Sequence, residues 1–158
     1  MGFSMEPQSG YKVFDVSKRT EKHLYPFSPT MRKHGIHYVL DEWNYASVGP
    51  IMLFSNATDT DLFLRMHQDG CLRAFPVKYI PIQPRTAHFL NLTIRYSLSD
   101  IQRFWENSFT EPQCDKVLIP PRGTCYAAAI CPTFHIACPD VDTEKISFII
   151  ARFGEDRI

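Results

Sequence analysis

Apolar residues in this chain come in short runs that often alternate with polar ones, and turn formers interrupt them every few positions. Lys12-Val13-Phe14-Asp15-Val16 alternates inside an otherwise polar stretch that carries Lys18, Arg19, Lys22, Arg32 and Lys33 and is broken by Pro26 and Pro29. Residues 1–35 are therefore expected to form a basic, extended N-terminal segment, with residues 36–158 as a single β-rich domain. Ile36 to Leu40 predicts a strand, Gly49-Pro50 a turn, and Ile51 to Phe54 another strand. The polar stretch Ser55 to Asp61 consists of turn formers and predicts an exposed hairpin loop. After it, Leu62, Leu64 and Met66 alternate with Phe63, Arg65 and His67, the period of a half-buried strand, which Asp69-Gly70 ends.

Phe75 to Pro84 contains Pro76, Pro81 and Pro84, which disfavours a central strand and predicts an edge strand or an extended crossing segment. His88 to Ile94 alternates, with Leu90, Leu92 and Ile94 on one face. Lys116 to Ile119, Thr124 to Ile130, Thr133 to Cys138 and Ile146 to Arg152 also read as strands, with a turn at Pro120-Pro121-Arg122-Gly123. One helix is predicted, from Ser99 to about Thr110. Ser99 and Gln102 start it as a capping box, Ile101, Phe104, Trp105 and Phe109 share a face, and Pro112 closes it. Short strands with one helical insertion predict an all-β fold, an antiparallel β-sandwich.

Composition narrows the function classes. Seventeen Lys plus Arg balance seventeen Asp plus Glu, so the chain lacks the net field that nucleic acid or an anionic membrane surface would require. An apolar fraction of 44% with 13% aromatics is that of a packed fold. No run approaches the roughly 20 apolar residues that span a bilayer, and no signal-peptide core precedes residue 25, which predicts a cytoplasmic protein without membrane insertion. Gly2 is followed by Glu6 where a myristoylation signal needs Ser or Thr. Five cysteines, an odd number, are expected to be reduced thiols, and the sequons at Asn56-Ala57-Thr58 and Asn91-Leu92-Thr93 read as chance matches.

The densest metal-capable group is Cys125, Cys131, His135 and Cys138, with Cys114 nearby. It lacks the close C-x-x-C pair that lets two thiolates reach one ion, so buried core thiols are the expected reading and no cofactor is predicted. Arg122-Gly123-Thr124-Cys125-Tyr126 resembles a cysteine-nucleophile loop but lacks the second Cys and the Trp of that signature. No dinucleotide, Walker, nucleophile-elbow, zincin or EF-hand pattern occurs.

Four features from Ile51 to Ile94 resemble a major sperm protein domain, the immunoglobulin-like sandwich shared with VAMP-associated proteins. They are the turn Leu53-Phe54-Ser55-Asn56-Ala57-Thr58, the alternating Leu62-Phe63-Leu64-Arg65-Met66, the Ile82-Gln83-Pro84 turn, and the strand from Phe89 to Ile94. Thr143 to Ile149 is similar to the family's last strand. The Arg-Pro pair that precedes the family's Ile-x-Pro turn is replaced by Pro76-Val77-Lys78-Tyr79, and the stretch from Tyr96 to Asp140 is longer than the family's link. The resemblance implies an immunoglobulin-like fold whose exposed edges pair with a peptide or with a second copy. It also implies an acidic-peptide site at Arg65 and His67 with Lys78 across the loop, although two of the family's lysines have no equivalent. The loop residues Asn56 and Thr58 complete the expected partner surface.

These readings converge on a non-enzymatic protein-protein interaction domain, self-associating as a homodimer or scaffolding a larger assembly. The alternative is a small cysteine- or metal-dependent enzyme centred on residues 114–138.

Overall fold

A computed structural model describes residues 6–17, 22–26, 36–67, 71–85, 89–90, 97–107, 117–118, 120–134 and 138–154. Among these residues the protein is predominantly β, with antiparallel pairing throughout, as the alternating runs predict, but three helices accompany the strands rather than one.

The strands are β1 (Gln8–Asp15), β2 (His23–Pro26), β3 (Tyr38–Val39), β4 (Asn44–Tyr45), β5 (Ile51–Phe54), β6 (Leu72–Pro81), β7 (Phe89–Leu90), β8 (Val117–Leu118) and β9 (Thr124–Pro132). The helices are α1 (Ala57–Met66), α2 (Leu98–Asn107) and α3 (Thr143–Phe153). β1 pairs with β6 along its whole length, from Gln8 opposite Tyr79 to Asp15 opposite Leu72. β6 continues onto β9, β9 pairs with β5, and β5 meets β1 at Tyr11 and Phe54, so hydrogen-bonded neighbours run in a ring. β2 and β3 extend from the far end of β1, and β4 extends from β9. The Asn44 side chain joins these two extensions: its Oδ1 accepts from the Val39 amide at 2.7 Å and its Nδ2 donates to the Val39 carbonyl at 3.0 Å.

Strand alternation sorts side chains between the inside of this ring and its outside. Phe14 lies inside with its ring 5.5 Å from Phe75 and 5.6 Å from Tyr38. A methyl group added at Gly10 would lie 2.7 Å from the Phe54 carbonyl oxygen and against Leu53 and Tyr79, so the crossing of β1 over β5 requires glycine there. On the outside, α1 covers Val13, Phe54 and Leu72 with Phe63 and Leu64. α3 buries Ile146, Ile149, Ile150 and Phe153, joining the Phe104 and Trp105 face of α2 in the main core. Each of these large side chains contributes about 1.5–3 kcal/mol by leaving water.

Several sequence expectations are corrected. Ser55 to Met66 is not a hairpin loop followed by a strand but a capped helix. The Asn56 side chain accepts from the Asp59 amide at 2.8 Å, and Thr60, Phe63 and Leu64 then fall on the covered face at helical spacing. Ile146 to Arg152 is likewise helical: Asp142 accepts from the Lys145 amide at 3.1 Å, and Ile146, Ile149, Ile150 and Phe153 form the buried stripe. β6 is paired on both sides despite Pro76 and Pro81. The Pro76 carbonyl accepts from Thr133 just past the end of β9, so its missing N–H falls where that neighbour stops, and Pro81 sits at a register shift.

The basic N-terminal stretch supplies β1 and β2 to the sheet itself. Thr133 and Phe134 leave the strand ladder, and residues 135–137 lie outside the described set. The predicted His88–Ile94 strand is described only at Phe89–Leu90, which pairs with β8 in a separate ribbon. The residues Ile101, Phe104 and Trp105 share one face of α2 as predicted, and that face is buried, but Ser97 rather than Ser99 accepts from the Asp100 amide as its cap. Phe109 lies outside the described residues. No helix among the described residues is long and apolar enough to cross a membrane.

Candidate functional site

The partner-surface residues read from the sequence gather on and around α1, with one exception. Asn56 is committed to the helix cap, since its Nδ2 also donates to the Asp59 carboxylate at 2.8 Å, and Thr58 is exposed in the first turn. Asp59 additionally faces Arg122 at 3.6 Å, which fastens the start of α1 to the turn before β9. Arg65 pairs with Asp61 one turn earlier at 2.9 Å, and both are exposed. His67 ends the helix with its ring 4.3 Å from that of Phe63. Lys78 stands apart on β6, where its ammonium donates to the Ser9 hydroxyl at 2.7 Å.

The helix exposes more than charge. Leu62 and Met66 are 49% and 73% exposed and sit one turn apart, flanked by the Asp61 and Arg65 pair. The covered face of α1 already contains Thr60, Phe63 and Leu64, so these two side chains form a second apolar strip that the other described residues leave exposed.

A second group occupies the inside of the ring, and the sequence reading passed over it. The Lys12 side chain is half-buried overall, but its ammonium is enclosed, 5.9 Å from the Phe14 ring centre and 5.6 Å from that of Tyr38. It donates to the Met52 carbonyl at 2.6 Å, at the seam where β1 separates from β5 after their single pair. No carboxylate among the described residues lies in ion-pair range, and burial lowers the Lys12 amine to a pKa of about 8. Burial raises the Tyr38 phenol well above its ordinary value. Farther along the interior, Tyr79 donates to the Gln8 side-chain oxygen at 3.2 Å. Burial, assisted by contact with Cys125, raises the Tyr79 phenol to about 12. The alternation of Lys12 with Val13 and Phe14 was the available signal, because a lysine two positions from a buried Phe on a strand shares its face.

The cysteines do not form the expected set of reduced thiols. Cys131, buried at the end of β9, is joined to Cys138 by a disulfide, which removes both from any metal or nucleophile role while the bond is intact. Cys114 and His135 lie outside the described residues. Cys71 and Cys125 lie outside this disulfide, and burial raises the Cys125 thiol, partly opposed by its hydrogen bond with Tyr79. A thiol held above its ordinary pKa is a poor nucleophile at neutral pH. Among the described residues, no three His, Cys, Asp or Glu side chains gather as a metal group.

The chemistry assembled here is an apolar strip on a capped helix, a half-buried lysine whose ammonium is enclosed within a ring of strands, and a disulfide with one cysteine buried. No family model, no curated protein and no solved structure matches this chain.

Proposed function

We propose that this protein is a non-enzymatic interaction domain that self-associates through the outer face of α1. The carrying observation is the exposure of Leu62 and Met66 one turn apart on a helix whose opposite face is already packed. Two copies of α1 laid antiparallel about a two-fold axis would cover both strips at once. In that arrangement Arg65 of each copy comes within reach of Asp61 of the other, a self-complementary pattern suited to an isologous interface. The ring of strand pairings favours a barrel-like module over the immunoglobulin-like sandwich that the resemblance implies. An acidic-peptide site is not carried forward, because Arg65 and His67 stand on a helix end while Lys78 stands on β6. The raised Cys125 thiol and the Cys131–Cys138 bond weigh against a cysteine-dependent enzyme.

Sedimentation equilibrium over a concentration series tests the proposal. The unaltered chain should show reversible dimerisation, and Leu62→Ser with Met66→Ser should shift it to monomer without lowering its melting temperature. A chain that is monomeric at every concentration, or a double variant that dimerises as well as the original, overturns it.

A further inference from the structure

We propose that His23 and His37 form a two-histidine site on the outer face of the β2–β3 ribbon, and that it takes a borderline divalent cation such as Zn2+ or Ni2+. The register is His23 opposite Val39 and Leu24 opposite Tyr38. Leu24 and Tyr38 are buried, at 0% and 8% exposure, so alternation turns His23 and His37 to the opposite, outward face of the ribbon. They are diagonal neighbours there, with ring centroids 5.2 Å apart and planes inclined at 59°.

That separation is compatible with a shared ion. An imidazole nitrogen lies about 2.0–2.1 Å from zinc, and the ring centre lies about 1.1 Å farther along the same line, so each centroid stands about 3.2 Å from the ion. At a tetrahedral angle two such rings have centroids about 5.2 Å apart, and at a right angle about 4.5 Å. The inclined planes also differ from a parallel stack, in which the ring nitrogens would point past each other. Tyr25 shares this face, with its ring 6.4 Å from that of His37. Neutral imidazole is a favoured ligand for zinc, nickel and copper, and water or a partner's side chain would complete the coordination. Nothing in the sequence marks the pair, because the two residues are distant in the chain and only the β2–β3 register brings them together.

The test is a calorimetric titration of the full chain with Ni2+, compared with His23→Gln and His37→Gln, which keep a polar side chain but supply no imidazole. His67→Ala serves as a control away from the ribbon. One ion should bind per chain at micromolar metal, each Gln variant should weaken it at least tenfold, and the control should bind as the original does. In the original chain, paramagnetic Ni2+ should broaden the His23, His37 and Tyr25 ring resonances first. Retention of affinity in both Gln variants, absence of binding at micromolar metal, or broadening centred on the Cys71 or Cys125 surroundings overturns the site. Matching melting temperatures without metal ensure that any loss reports on ligation and not on unfolding.

Discussion

Lys12 should give this protein an unusual alkaline gain in stability. Its amine has a pKa of about 8 in the folded state against 10.5 for the free side chain, a lowering caused by burial. The unfolded chain therefore binds more protons than the folded one between those two values, and stability must rise with pH across that window. Below about pH 8 both states are protonated and the folded protein bears the whole penalty; above about 10.5 both are neutral and the penalty is gone. At about 1.4 kcal/mol per unit of pKa, the difference amounts to about 3 kcal/mol as an upper figure. The tyrosines act in the opposite sense at higher pH. Tyr79 and Tyr126 are each raised to about 12, so the folded state holds protons that the unfolded chain loses above about pH 10, and stability falls there. Unfolding free energy should thus climb from about pH 8, peak near pH 10 and then decline.

Lys12→Met isolates the amine. The variant keeps an apolar stem of similar length and removes the charge, but it leaves the Met52 carbonyl without its donor, a loss of about 1–3 kcal/mol. The two changes nearly offset one another at neutral pH, so the single measurement there decides little. The diagnostic quantity is the difference between original and variant as a function of pH. Urea denaturation at about pH 7, 8.5 and 10 should show the original gaining on the variant by about 2–3 kcal/mol across the series, with the tyrosine decline common to both. Parallel curves would mean that the ammonium is solvated in the folded state, and the placement of Lys12 inside the ring would then be wrong.

Trp105→Ala should lower stability by about 3–5 kcal/mol in denaturant titration, because this indole is 8% exposed, packs edge-on against Tyr126 and lies directly on Gly49. An unchanged midpoint would mean that the α2 face is not part of the core. Gly123→Ala should destabilise by more than about 1 kcal/mol, since its φ is +84° and the added methyl would press on the Asp59 side chain that holds the start of α1. Circular dichroism melting would reveal a tolerated substitution, which would refute the strained turn.

The readable and unreadable parts of this chain divide on physical lines. The face of Ile101, Phe104 and Trp105 could be read because only a helix aligns those three residues, and no strand pattern competes there. Leu62, Leu64 and Met66 misled because they alternate by coincidence. The burial that decides between periods falls on Thr60, Phe63 and Leu64, while Leu62 and Met66 remain outside. The deciding local signal was Asn56 followed by Asp59, a helix start that the turn-forming composition disguised. Ile146 to Arg152 is so densely apolar that neither period stands out, and Asp142 before it and Gly154 after it carried the helix boundaries. Prolines in β6 are tolerated only because β9 ends beside one of them and shifts register beside the other, which is a property of the partner strand and not of β6. The Cys131–Cys138 bond depends in the same way on where the chain returns after β9.

Closure of the sheet also bears on how a partner could be received. The resemblance to an immunoglobulin-like module implies binding by strand addition, which needs an edge with unpaired backbone groups. Here β1, β6, β9 and β5 are each paired with two neighbours in the ring. The edges that remain on β3 and β4 belong to strands of two residues each, and the Asn44 side chain bridges them. Strands that short offer too few backbone groups to hold an added peptide in register. The proposed self-association would then rely on side chains displayed outside the ring, and among the described helices α1 presents two large apolar groups on adjacent turns. The same closure that encloses the Lys12 ammonium therefore favours the helix over the sheet as the surface of the proposed association, which is why the Leu62 and Met66 variants, and not substitutions along β6, test it.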